Sequence, residues 1–263
     1  MLGVFSKGLV VELARMSKAV YPGPLNQKTL FIENERIVGQ RYVHGSYGRG
    51  FCRVLYNDRA VIVAFRGTRE GVDWFVSNFG AFPVPFAKGG GGKPVYVHQG
   101  FQRTLYYTDR TSQRPSLEAL VSILDEIQVG QRSLYITGHS LGGALATLAA
   151  AKLRHLRPEL VASNLRGIVT FGAPAVGLRA FKEFYGELHD LTLRVVNAAD
   201  AVPFTPPIAY YHVGRAVWLR RDQVSADPGW RARLASSLAL LSPRSFRRDH
   251  SMVAYMAALT ALP

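Results

Sequence analysis

The sequence predicts an α/β fold in which a mostly parallel sheet is covered by helices. Three observations predict it. Strand-like and helix-like segments alternate along the chain, and the inner strands are apolar on both faces, as strands covered from both sides are. The length, 263 residues, suits one large domain whose core needs neither disulfide nor metal.

The elements follow in order. Residues 4–20 read as a helix because Leu9, Leu13, Met16 and Val20 share one stripe. Gly50–Leu55 and Ala60–Phe65 read as strands around a turn at Asn57-Asp58. Over Ser116–Val129, Leu117, Leu120, Ile123, Leu124 and Ile127 recur at helical spacing. A short strand, Ser133–Thr137, leads into an Ala/Leu-rich helix, Leu141–Leu156. Then come an apolar strand Leu165–Phe171, a helix Leu178–Leu188, a second apolar strand Leu191–Asn197, a strand-like Tyr210–Leu219 and a last helix His250–Leu262. Two stretches break the pattern. Phe82–Pro94, with three prolines and the run Gly89–Gly92, is neither helix nor central strand, and Thr205-Pro206-Pro207 is stiff and extended. Neither is a linker, since similar segments continue on both sides. The expectation is a single domain over 1–263 with long functional loops.

Composition narrows the class. Hydrophobic residues make up 48% and charged ones 19%, which excludes a disordered chain. No apolar run approaches the roughly 18–20 residues of a membrane-spanning helix. Lys7, Glu12 and Arg15 interrupt the apolar start, so no secretory leader is expected; the chain would act in the cytoplasm or leave by another route. Cys52 is the only cysteine, which excludes a disulfide-stapled scaffold. The net charge is +14, from 32 Lys and Arg against 18 Asp and Glu. Arginines spread over the whole chain, without the basic block interleaved with aromatics of a nucleic-acid binder. The first reading is a solvated basic surface, and the second is peripheral contact with anionic lipid headgroups.

One motif carries chemistry. The strand Ser133–Thr137 runs into Gly138-His139-Ser140-Leu141-Gly142, and a helix begins at once. G-x-S-x-G is weak alone and strong between a strand and a helix. A serine in so sharp a turn is backbone-strained, and glycines two positions to either side remove Cβ atoms that would clash. The turn exposes the Ser140 hydroxyl and aims a helix N-terminus at the reaction, where N–H groups favour an oxyanion. This strand–turn–helix nucleophile is the arrangement of α/β-hydrolases, in which acid and then histidine follow the serine.

Serine needs a base, and the base needs a carboxylate to fix its tautomer. Both belong on loops at carboxyl ends of strands beyond Ser140. Asp200 follows the strand Leu191–Asn197 within three residues, on a loop stiffened by Pro203–Pro207. Asp190 precedes that strand, at the wrong end, while Asp222 and Asp227 follow the next strand-like segment and stand behind Asp200 as acids. Of seven histidines, only His212 and His250 follow Asp200. His250, on a loop before the last helix, is favoured as the base; His212, at the start of a strand, is the alternative, or a buried histidine bonded near the acid loop. His139 reads as a local packing or bonding residue.

With these residues in place, the chain resembles the class 3 lipase family, which includes the filamentous-fungal triacylglycerol lipases. The matching segments are Val63-Ala-Phe-Arg-Gly-Thr68, Asp73-Trp74, Val97-His-Gln-Gly-Phe101, Ile136–Ala146, Thr170-Phe-Gly-Ala-Pro174, Val195–Asp200 with Val202-Pro203, and Asp249-His250. The resemblance implies carboxylic-ester hydrolysis with Ser140, Asp200 and His250 as a triad. It implies an oxyanion hole from the backbone N–H groups of Thr68 and Leu141, with the Thr68 hydroxyl helping, and a structural role for His98. No metal or organic cofactor is expected. The fungal enzymes carry a short amphipathic lid after the segment that matches Arg66-Gly67-Thr68. Here 69–97 is the candidate lid or acyl-chain wall, with Trp74, Phe75, Phe79, Phe82 and Phe86 before four glycines; a packed loop fits almost as well. The fungal disulfides are missing. The expected activity is lipase-like cleavage of acylglycerol esters through an acyl-enzyme. The alternatives are a phospholipase A1 or feruloyl-type esterase on the same triad, and a non-catalytic lipid-surface binder. A monomer is the default.

Overall fold

A computed structural model of the chain describes residues 2, 4–21, 29–45, 50–67, 82–109, 111–206, 209–220, 223–226 and 248–263. At its centre lies an eight-stranded sheet. In chain order its strands are β3 (Gly39–His44), β4 (Gly50–Tyr56), β5 (Ala60–Phe65), β8 (Ser133–His139), β9 (Leu165–Phe171), β10 (Thr192–Asn197), β11 (Arg215–Arg220) and β12 (Gln223–Ala226). Their spatial order is β12-β11-β10-β9-β8-β5-β4-β3. Five consecutive strands, β5, β8, β9, β10 and β11, run parallel, and antiparallel strands flank them on both sides. β1 (Phe31–Ile32) and β2 (Glu35–Arg36) form a small separate pair.

Helices cover both faces because the inner strands are apolar on both. Along β5, Val61, Val63 and Phe65 point to one core while Ala60 and Ile62 point to the other. The first core is closed by α2 (Gln99–Leu105), α3 (Ser116–Glu126), α4 (Leu141–Leu156), α5 (Pro158–Asn164) and α6 (Arg179–Tyr185). The second is closed by α1 (Lys7–Ala19) and α7 (Met252–Ala261), which pack on one another. Ser6 caps α1, accepting from Leu9 N–H at 3.2 Å, and Ser251 caps α7 through Ala254 N–H at 3.1 Å.

Several expected boundaries move. The segment Tyr210–Leu219 becomes a strand only from Arg215, because Gly214 takes φ +75° just before it. The helix expected to Leu188 stops at Tyr185 and continues as a single 3-10 turn. The segment 69–97, the candidate lid or acyl-chain wall, is described from residue 82 onward. Residues 83–88 and 94–98 form a two-stranded antiparallel hairpin, β6 and β7, outside the central sheet, with a 3-10 turn over Gly90–Gly92 at its tip. Prolines are tolerated there because a two-stranded ribbon is all edge, and a bulge sits between Pro85 and Ala87. The hairpin is docked: the buried Phe86 ring meets Phe181 at 5.6 Å and Phe184 at 6.2 Å. Lys152, near the end of α4, lies over that ring and donates to the Phe86 carbonyl at 2.6 Å. Residues 69–81 lie outside the described residues.

Candidate active site

β8 ends at His139 and α4 begins at Leu141, so Ser140 alone makes the bend. Its φ of 58° with ψ −129° is backbone that a side-chain-bearing residue rarely adopts. The surroundings hold it there. Ser140 N–H donates to the Phe171 carbonyl at 2.9 Å, and the Ser140 carbonyl accepts from Gly143 N–H at 2.9 Å, starting the helix. A Cβ on Gly138 would overlap the Gly142 carbonyl, and one on Gly142 would overlap the Phe65 carbonyl. The two glycines are therefore required by backbone packed against backbone.

The loops after β10 and before α7 bring the partners. His250 Nε2 lies 2.9 Å from Ser140 Oγ, and His250 Nδ1 lies 2.9 Å from Asp200 Oδ2. All three residues are buried, Asp200 completely. A carboxylate only accepts, so Nδ1 carries the proton and Nε2 is left to receive the serine hydroxyl proton. Asp200 is also the acceptor for Val202 N–H at 3.0 Å, through Oδ1, and for the Tyr255 hydroxyl at 2.6 Å, through Oδ2. Burial first, and then the Asp200 charge, holds the Tyr255 phenol well above its ordinary pKa, so it stays a donor. Gly172, at φ +57°, passes so close that a Cβ there would lie 2.6 Å from Asp200 Oδ2 and 3.1 Å from His250 Nδ1.

The turn that bears His250 is stitched to the acid loop. Asn197 Nδ2 donates to the Asp249 carbonyl at 2.9 Å, and Ala199 N–H donates to Asp249 Oδ2 at 3.3 Å. His139 Nε2 lies 2.7 Å from the His250 carbonyl.

Leu141 is the first residue of α4, so its N–H is among those without a partner inside the helix. Thr68, Asp222 and Asp227 lie outside the described residues. His212 is half-buried and its Nε2 meets the Pro203 carbonyl, beside the acid loop and not at the serine. Asp190 pairs with Arg215 at 3.7 Å, below the sheet's carboxyl end. His98 caps α2 through Gly100 N–H at 3.1 Å and stacks on Phe101 at 4.2 Å.

Over residues 62–210 the sequence matches the family described as lipase (class 3), which is more than half of the chain. The chain belongs to the class 3 lipases. Among curated relatives, a phospholipase A1-II from Oryza sativa subsp. indica is 32% identical over 176 residues, 59% of this chain and 43% of its own length. A lipase from Rhizomucor miehei is 31% identical over 166 residues, 62% of this chain and 42% of its own. The chain spans less than half the length of these two relatives. Among solved structures, a fungal lipase–inhibitor complex superimposes with TM-score 0.68 at 20% identity, covering 97% of this chain and 96% of that one. The triacylglyceride lipase of Rhizomucor miehei gives TM-score 0.63 at 24% identity, over 81% and 79%. This class 3 lipase therefore has the α/β-hydrolase fold, a mostly parallel sheet flanked by helices.

Sequence reasoning missed Tyr255 and Gly172. Tyr255 sits five residues after His250 on an apolar helix, where it reads as core, and only a polar tip buried among apolar neighbours could have flagged it. Gly172 falls inside the matching segment Thr170–Pro174, but nothing local in that segment shows the contact that requires it.

Proposed function

We propose that this class 3 lipase hydrolyses carboxylic esters of acyl lipids, with Ser140 as nucleophile, His250 as general base and acid, and Asp200 as the group that orients the imidazole. The observation that carries the reading is the continuous chain from Asp200 Oδ2 through His250 to Ser140 Oγ, each link 2.9 Å, ending on a serine at φ 58°. Ser140 Oγ attacks the ester carbonyl carbon as its proton passes to His250 Nε2, and the carbonyl becomes an oxyanion. Leu141 N–H at the start of α4, with Thr68 N–H and hydroxyl, is assigned to that oxyanion. His250 returns the proton to the leaving alcohol, and the acyl group stays on Ser140. Water, deprotonated by His250, then attacks the acyl-enzyme and releases the acid. Asp200, fully buried, keeps the Nδ1–H tautomer and stabilises the imidazolium.

Two acyl-lipid classes fit: acylglycerols, as the name of the triacylglyceride lipase of Rhizomucor miehei suggests, and phospholipids cleaved as a phospholipase A1 would. The net charge of +14 favours the second, because a basic surface gathers anionic headgroups. The unit is read as one domain acting on a lipid interface. Ser140→Ala, assayed on p-nitrophenyl butyrate and on a mixed acylglycerol and phospholipid panel, is expected to lose at least about 10³-fold in kcat. Retained turnover would contradict the reading.

A further inference from the structure

A polar chain beside the site has no part in the proton transfer. The His250 carbonyl can only accept, so the 2.7 Å contact from His139 requires the proton on His139 Nε2. A neutral ring then presents Nδ1 as an acceptor, 3.0 Å from the Tyr21 hydroxyl, which must donate. The Tyr21 hydroxyl also packs against Gly67, in space so tight that a Cβ on Gly67 would overlap it. The hydrogens thus both point one way, from Tyr21 to His139 to the His250 carbonyl. Of the bonds that fix the His250 turn, those from Asn197 to the Asp249 carbonyl and from Ala199 to the Asp249 side chain tie it to the acid loop. The bond from His139 ties it to the elbow instead, because His139 is the residue before Ser140.

We propose that His139 and Tyr21 are positioning residues whose one-way hydrogen-bond chain locks the backbone of His250 to the nucleophile elbow and to the residues just after α1, where Tyr21 packs against Gly67. Packing alone does not ask for these side chains. The His139 ring lies 4.6 Å from the His250 ring, and an apolar residue would fill that space without placing a second imidazole beside the base. Burial first, and then the charge of His250, holds His139 well below its ordinary pKa. The bond from Tyr21 favours the same neutral form. His139 therefore stays uncharged when His250 becomes the imidazolium. The inference rests on the ester-hydrolase reading for its kinetic consequence, but the proton arrangement is measurable without any substrate.

The first measurement is nitrogen-15 NMR of histidine-labelled protein. His139 is expected to show a neutral ring protonated at Nε2 from pH 5 to 9, and Tyr21→Phe, which removes the hydroxyl that Nδ1 accepts from, is expected to leave the ring neutral while the Nδ1 resonance moves to that of a nitrogen with no donor. A ring protonated at Nδ1, or one that titrates in the unmodified protein, would overturn the proposal. The second is a cycle of Tyr21→Phe, His139→Leu and the double variant. Each single change is expected to lower kcat by about 10-fold with KM held, the scale of a sub-ångström misplacement of the base. The double variant should fall within about 3-fold of the worse single, since one broken link already opens the chain. Losses that multiply to about 100-fold, or wild-type kcat in Tyr21→Phe, would contradict it. Should His139→Leu not fold, His139→Phe takes its place, filling the space of a ring with neither a donor toward the His250 carbonyl nor an acceptor for Tyr21.

Discussion

At Ser140 the backbone takes φ 58°, and Gly138 and Gly142 leave the room this turn requires. Replacing a hydrogen with a methyl tests that directly. Gly142→Ala puts a Cβ onto the Phe65 carbonyl, which is backbone of the neighbouring strand and cannot turn aside. We expect a loss of about 3 kcal/mol or more in urea denaturation, above the usual cost of overpacking because nothing flexible lies in the way. Gly130→Ala, where no atom lies within 4 Å of the added carbon, is the control and should cost under about 1 kcal/mol. Similar losses at both positions would remove the steric account of the elbow. The serine and its two glycines were legible in the sequence because the chemistry demands a local pattern of fixed spacing. The Tyr255 hydroxyl and Gly172 were not, because their partners Asp200 and His250 come together only after folding over tens of residues.

Among the elements, the clasp between the end of β3 and the loop before α3 carries a titration. Asp109 is buried, which pushes its carboxyl up, but hydrogen bonds from the Ser112 hydroxyl and N–H, both 2.6 Å, and from His44 N–H, 2.6 Å, outweigh this and leave it below the usual carboxylate range. A folded-state pKa below the unfolded one adds stability that is complete above the unfolded value and is lost as pH falls through the folded one. Asp109→Asn should therefore cost about 1–2 kcal/mol at pH 7, and the gap in melting temperature should close as pH falls below about 4. A gap of equal size at pH 3 and pH 7 would show that the charge plays no part. The inner strands and long helices were legible because apolar residues on both faces, or at helical spacing, record burial directly. The hairpin β6–β7 was not: Pro83, Pro85 and Pro94 argue against a strand, and it persists because Phe86 is anchored by Phe181, Phe184 and Lys152, none of which is near it in sequence.

On the scale of the whole molecule the basic excess is the property least explained by folding. Described carboxylates are spent in pairs such as Glu35 with Arg59, Asp125 with Arg157 and Glu187 with Arg154, leaving many arginines to solvent. We expect binding to vesicles containing phosphatidylglycerol, little binding to phosphatidylcholine alone, and a loss of the difference between 50 and 500 mM salt as screening shortens. Equal binding to both vesicles at low salt would assign the charge to solubility instead. None of this bears on the chemistry, which hangs on a single reactive hydroxyl. Its most direct measurement is labelling with a fluorophosphonate, followed by peptide mass spectrometry, in the unmodified protein and in His250→Ala and His212→Ala. The account predicts one adduct, on Ser140, retained in His212→Ala and lost in His250→Ala; an adduct on another residue, or labelling that survives without His250, would contradict it.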